Sequence, residues 1–253
     1  MPIALITGTT SGIGAATAKI LAENGYDLIL NGRRKERLEE QSQELKDRYA
    51  INTRIMHVDV RNHDDVEQYI ENLPSDWSSI DLLINNAGLA AGLSSIECGS
   101  IDHWNRMIDT NIKGLLHVTK YMTPTLKNTK GHIINIGSIA GKEVYPNGNV
   151  YCGTKHMVDA LNKSMRRELA GFGVRVTSIN PGAVETEFSV VRLDGDVEKA
   201  KNVYNGFENL VAKDIADAIW FAVSRPKHVN INELIIMPSA QPAAGEVIRN
   251  KGL

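Results

Sequence analysis

The chain predicts an α/β fold of the doubly wound, Rossmann type, with about seven mostly parallel strands and helices on both faces of the sheet. Short apolar, β-branched runs recur along its whole length, and amphipathic stretches of helical length separate most of them. A glycine-rich turn follows the first run and opens the first helix. Strands alternating with helices make βαβ units, and right-handed crossovers then build one parallel sheet covered on both sides.

Strands are expected at 3–7, 27–30, 53–58, 81–84, 132–136, 174–179 and 233–237, where apolar and β-branched residues cluster. Helices are expected at 13–24, 35–49, 63–73, 101–127, 151–170 and 213–223, where apolar residues recur at helical spacing. The stretch 182–212 has little periodicity and follows a strand end, where open α/β sheets bind ligands. An excursion of that length there reads as a binding lid within a single domain spanning 1–253.

Of the 253 residues, 42% are hydrophobic and 23% charged, and the net charge of −2 is made of both signs scattered along the chain. That balance gives no support to a nucleic-acid or membrane-surface partner. The two cysteines, Cys98 and Cys152, have no metal-ligand or CxxC spacing, which predicts reduced thiols and no metal. No signal peptide or membrane-spanning run is evident in the sequence, so a cytoplasmic protein is expected.

The first turn, "TGTTSGIG", places Gly8, Gly12 and Gly14 at a tight strand-to-helix junction. Glycines there let the backbone approach a pyrophosphate, which the open N–H groups of a helix start attract. Thr10 and Ser11 add hydroxyls, and Ile13 begins the helix. Alone, such a turn is also compatible with plain packing. At the end of the second strand, Gly32 stands where a carboxylate would chelate an NAD ribose, and Arg33 and Arg34 follow it. Guanidiniums grip a 2′-phosphate through paired hydrogen bonds, which points to NADP(H), with Arg33 favoured for that role. Arg37 and Glu36 read as a solvated charge run. Asp59, followed by Val60, ends the third strand and suits either the adenine amino group or a helix N-cap. Asn85-Asn86-Ala87-Gly88 ends the fourth strand with small residues beside which a cofactor can lie flat.

Tyr151 and Lys155 are spaced i, i+4, so their side chains share one helical face. A phenol of pKa about 10 is a poor base at neutral pH. An ammonium ~4 Å away, at an effective dielectric of ~20, would favour phenolate by roughly 4 kcal/mol. That equals about three pK units. Ser138, after the fifth strand, is placed to donate to a substrate oxygen, and Asn111 to hold a water against Lys155.

With these motifs in place, the chain resembles the short-chain dehydrogenase/reductase family over essentially its full length. The matching residues are Thr7-Gly8-x3-Gly12-Ile13-Gly14, Asn85-Asn86-Ala87-Gly88, Asn111, Ser138, Tyr151-x3-Lys155 and Pro181-Gly182. The resemblance implies Tyr151 as acid/base, Ser138 as polariser of the substrate oxygen, Lys155 on the nicotinamide ribose and Asn111 in a proton relay. It also implies Val184 and Thr186 against the nicotinamide carboxamide. "NNAGLAAG", "MIDTNIKGL" and "HVNINELIIMP" are similar to the NADP-dependent 3-hydroxy acid (serine/allo-threonine) dehydrogenase group, with sulfoacetaldehyde reductases as near relatives. That implies NADP(H), a short hydroxy acid or aldehyde substrate carrying an anion, and a homotetramer with the C-terminal strand at an interface. For that anion the candidates are Arg192 in the lid stretch, which could equally be an exposed loop arginine, with Tyr145 and Asn149. The charged pair Lys142-Glu143 departs from the small residues expected of the group. A non-catalytic NADP(H)-binding regulator is the competing class, but such a protein would be free to lose Tyr151, Lys155 or Ser138.

Overall fold

In the computed structural model, which describes residues 1–249, seven strands form one parallel sheet. They are β1 (Ile3–Ile6), β2 (Asp27–Asn31), β3 (Thr53–Met56), β4 (Leu82–Asn85), β5 (His132–Ile136), β6 (Arg175–Pro181) and β9 (Glu233–Ile236). Their spatial order is β3-β2-β1-β4-β5-β6-β9, so the chain winds outward from β1 one way and then, from β4, the other. A short parallel pair, β7 (Val184–Glu185) and β8 (Leu210–Val211), stands apart from it. The last four residues of the domain expected over 1–253 lie outside the described residues.

The strands are mostly apolar because both faces of the central sheet are covered, although β6 and the edge strands β3 and β9 carry polar or exposed residues. Pleating sends successive side chains to opposite sides. Ala4, Ile6, Leu28, Leu30, Leu82 and Ile84 face one core, with α1 (Gly12–Glu23), α2 (Lys35–Tyr49) and α9 (Ala212–Val223). Ile3, Leu5, Ile29, Leu83, Ile133 and Val176 face the other, with α3 (His63–Glu71), α5 (Leu115–Thr129) and α6 (Asn149–Leu169). Leu5 and Leu83 are fully buried. Truncating such a leucine to alanine costs about 2–5 kcal/mol.

The helix expected over 101–127 is interrupted. α4 (Ile101–Ile108) ends in a π-helical turn, Asp109–Gly114, before α5 begins. Tertiary hydrogen bonds to Asn111 within that turn account for the break. The stretch 182–212 contains more structure than its weak periodicity suggests, namely β7, α7 (Glu187–Arg192), α8 (Val197–Val203) and β8. Among the described residues, no helix is long and apolar enough to cross a membrane.

Candidate active site

A cavity of about 710 Å³ opens at the C-terminal ends of the central strands, where doubly wound sheets place their ligands. Its floor at one end is the glycine turn between β1 and α1. Gly8 and Gly12 adopt φ of 71° and 54°, a left-handed region in which side chains are strained. The neighbouring strand locks this turn. The Asn86 amide donates to Thr7 O at 2.8 Å and Gly8 O at 3.0 Å, while Ala87 N–H donates to Thr7 Oγ1 at 2.9 Å. Thr10, Ser11, Gly12 and Ile13 line the cavity, and so do Ala87, Gly88 and Val60. Gly14 does not. A Cβ at Gly14 would lie 2.2 Å from Gly8 O, so this glycine serves helix–strand packing.

The turn fits a pyrophosphate. Ser11, the N-cap of α1, makes no side-chain cap bond, and no acidic residue occupies the first helical turn. The helix-start N–H groups therefore face the cavity without an anionic neighbour from their own helix. Gly32 leaves no room for a carboxylate, because a Cβ there would meet Thr10 Cγ2 at 2.7 Å.

The two arginines after β2 behave differently. Arg34 is pinned to the turn, donating from Nε and Nη2 to Thr10 Oγ1 (3.0 and 2.7 Å) and from Nη2 to Ser11 Oγ (2.9 Å). Arg33 lines the cavity but is 62% exposed, with Asp59 at 3.9 Å. Arg34 is thus the more firmly anchored cation, whereas the sequence favours Arg33. Arg37 keeps 45% of its side chain exposed, and its guanidinium also bonds Glu187 Oε1 at 2.8 Å. Asp59 does not cap a helix. Its carboxylate is held by Arg61 at 2.6–3.0 Å, and Asn62 caps α3. Asn85 also departs from expectation. Its buried amide donates to Thr119 Oγ1 and Asn135 Oδ1 at 2.9 Å, away from the cavity.

The reactive constellation lies mid-cavity, where Ser138, Tyr151 and Lys155 converge. Ser138 ends the β5 segment and caps a short turn through Ala140 N at 3.1 Å. Tyr151 and Lys155 come from the first turns of α6, both buried. Lys155 Nζ donates to Ile136 O at 2.9 Å and stands 6.0 Å from the Tyr151 ring centroid. Burial, reinforced by the neighbouring Tyr145, pushes the Tyr151 phenol up, although Ser138 and Arg192 pull partly against it. Burial likewise brings Lys155 down to about 8.

Asn111 sits in the π-turn behind this pair. Its Oδ1 accepts from Leu89 N at 2.8 Å, and its Nδ2 donates to Leu89 O at 2.8 Å and Thr154 Oγ1 at 3.1 Å. A Cβ on Gly88 would lie 3.3 Å from Asn111 Oδ1 and 3.7 Å from Lys155 Nζ, so both groups face that glycine. The amide is fully engaged with protein, and it braces the β4 loop and α6 rather than reaching the cavity wall.

Beyond Tyr151 the wall turns to the lid stretch. Pro181, Gly182, Val184 and Thr186 carry the cavity from the end of β6 to α7. Arg192, the last residue of α7, lines it too and is not an exposed loop arginine. Its Nη2 donates to Tyr145 Oη at 2.8 Å, its guanidinium carbon stands 5.4 Å from the Tyr151 ring centroid, and its buried Nε has no partner. Asn149 points elsewhere, donating to Ser94 O at 2.9 Å. Lys142 pairs with Asp159 at 2.6 Å and with Glu233, and Glu143 accepts from Ala244 N at 2.7 Å. These two charges tie down the frame and do not line the cavity. Phe188 and Glu187 are not among the residues the sequence singles out, and Asn86 enters only within the Asn85–Gly88 motif, with no role of its own. Glu187 has no local sequence signal, since Arg34 lies 153 residues away.

Comparison with known proteins agrees with this geometry. The short chain dehydrogenase family model matches residues 2–196. The chain is 45% identical over 245 residues to the NADP-dependent 3-hydroxy acid dehydrogenase YdfG of Salmonella typhi, covering 96% of this chain and 97% of that one. It is 43% identical over 241 residues to the serine 3-dehydrogenase of Agrobacterium fabrum, covering 95% of each. A closed form of serine dehydrogenase complexed with NADP+ superposes with a TM-score of 0.91 at 43% identity, covering 98% of this chain and 100% of that one. The chain belongs to the short-chain dehydrogenase family.

Proposed function

We propose that this protein moves hydride between NADP(H) and the carbinol or carbonyl carbon of a short anionic substrate, a 3-hydroxy acid or its aldehyde. At the coarser level it is an NADP-dependent oxidoreductase acting on CH–OH groups. The pyrophosphate would rest on Gly8–Ile13, the 2′-phosphate on Arg34 and Arg33, and the nicotinamide against Val184 and Thr186. When bound, the nicotinamide supplies hydride in reduction and accepts it in oxidation.

The chain's own groups handle the proton. In reduction, the Tyr151 phenol gives its O–H proton to the oxygen of the former carbonyl, and the Ser138 hydroxyl donates a hydrogen bond to that oxygen as it becomes negative. In oxidation, Tyr151 as phenolate takes the hydroxyl proton. Lys155, buried beside it, supplies the nearby positive charge that favours phenolate. The segment 182–212 acts as the lid.

One observation carries the substrate class: the cavity-facing guanidinium of Arg192, with one N–H buried and unpartnered and another shared with Tyr145. A carboxylate in the cavity would pair with this guanidinium, whose carbon stands 5.4 Å from the Tyr151 ring centroid. The test compares kcat/KM for L-serine, 3-hydroxypropionate, sulfoacetaldehyde and uncharged 1-propanol with each cofactor, in wild type and Arg192→Gln. Anionic substrates should be preferred and lose about 10²-fold in the variant, with 1-propanol poor in both. Equal losses on 1-propanol would remove the anion role. Preference for sulfoacetaldehyde would move the substrate from carboxylate to sulfonate. Tight NADPH binding with no turnover of any substrate would favour the regulator reading. A homotetramer is proposed with it, supported by the half-exposed Ile235 on the edge strand β9.

A further inference from the structure

Glu187 is an unexpected residue at the nucleotide end of the cavity. It opens α7, directly after Thr186, and lines the cavity wall. Its two carboxylate oxygens are taken separately, Oε2 by Arg34 Nη1 and Oε1 by Arg37 Nη1, each at 2.8 Å. These hydrogen bonds bring Glu187 down to about 2, so it is a carboxylate under all working conditions. All three side chains are nearly half exposed, with 42–45% of their surface accessible, so the contact lies within reach of an entering ligand. Arg34 is held from behind by Thr10 and Ser11 of the glycine turn. Its position is therefore set by the turn, and Glu187 supplies the anion that faces it.

A ribose 2′-phosphate carries a charge of about −1.5 to −2 and seeks the same N–H groups. Two anions on one guanidinium pair repel, and Glu187 stands on a different segment of chain from the arginines it holds. We propose that Glu187 is an internal competitor for the 2′-phosphate, holding Arg34 and Arg37 in the free protein and yielding them when NADP(H) binds. Arg37 is thereby a third member of the phosphate site. A cofactor without the phosphate leaves the Glu187 contacts in place. Glu187 thus sets the affinity for NADP(H) specifically, and its release frees the start of the lid stretch. This inference rests on the NADP(H) reading and deepens it.

The experiment titrates the full chain with 2′,5′-ADP, 5′-AMP, NADPH and NADH, in wild type and Glu187→Gln, by calorimetry. The glutamine keeps the size and removes the charge. Glu187→Gln should tighten 2′,5′-ADP and NADPH by about tenfold and change 5′-AMP and NADH by less than about twofold. Weaker or unchanged 2′,5′-ADP binding would overturn the inference, because Glu187 would then organise the arginines or be a bystander. Equal tightening of 5′-AMP would also overturn it. If Glu187→Gln does not fold, Glu187→Asp retains the charge but shortens the reach, and about two- to fivefold tightening of 2′,5′-ADP is expected. Unchanged binding there overturns the inference in the same way. Wild-type protein that binds NADH as tightly as NADPH would instead sink the NADP(H) reading itself.

Discussion

Lys155 is a buried amine with a backbone carbonyl as its hydrogen-bond partner and no carboxylate beside it. Burial lowers it to about 8 from an ordinary value of 10.5. Between those values the folded chain holds fewer protons on this group than the unfolded chain does. Its contribution therefore rises with pH across that window, and below pH about 8 the charged form is a net cost to the fold. Lys155→Met should accordingly raise the melting temperature of the cofactor-free protein at pH 7 by a few degrees while lowering turnover by about 10³-fold. A lower melting temperature would mean that the ammonium is stabilising where it lies. The raised Tyr151 phenol has its own signature. Hydroxyl oxidation needs phenolate, so its kcat/KM should climb with pH above 7 by nearly tenfold per unit, whereas carbonyl reduction needs the phenol and should not. The shared helical face of this pair was readable from i, i+4 spacing. The Lys155–Ile136 O hydrogen bond was not, because only the folded β5–α6 packing presents that carbonyl.

At the scale of elements, the strands were readable because most are short apolar runs buried on both faces, the edge strands β3 and β9 being only partly buried. The helix expected over 101–127 was not broken in the sequence reading. Nothing in "MIDTNIKGL" forbids a regular helix, and the π-turn is imposed by Leu89 and Thr154, far along the chain from Asn111. Such an extra residue in a turn commonly marks a functional position. Asn111→Leu leaves the Leu89 N–H and C=O unpaired in a buried setting. It should cost about 2–4 kcal/mol in denaturant unfolding and depress activity through the β4 loop. A loss below about 0.5 kcal/mol would show that those backbone groups find other partners. The lid stretch was recognised by position but not in content, since α7 and α8 are six and seven residues long and too short for a periodic signal.

Across the whole molecule, the reversal of strand order between β1 and β4 places the glycine turn, the arginines, Tyr151 and the lid stretch around one cavity. Topology of that kind was inferable from strand–helix alternation. The bonding of Glu187 to residues 150 and 153 positions earlier was not, because no local pattern encodes it. A ligand that binds only the folded chain stabilises it by about 2.7 kcal/mol at a hundred times its Kd. At equal millimolar concentrations NADPH should therefore raise the melting temperature several degrees more than NADH. Equal shifts would contradict the arginine assignment.

The most direct test of the central claim is turnover by Tyr151→Phe with NADPH binding measured on the same preparation. Removing the hydroxyl leaves the ring packed edge-on against Phe188, at 5.8 Å between centroids. Turnover should fall by at least about 10³-fold while the NADPH Kd changes by less than about threefold. Turnover near the wild-type rate, with binding intact, would show that another group carries the proton.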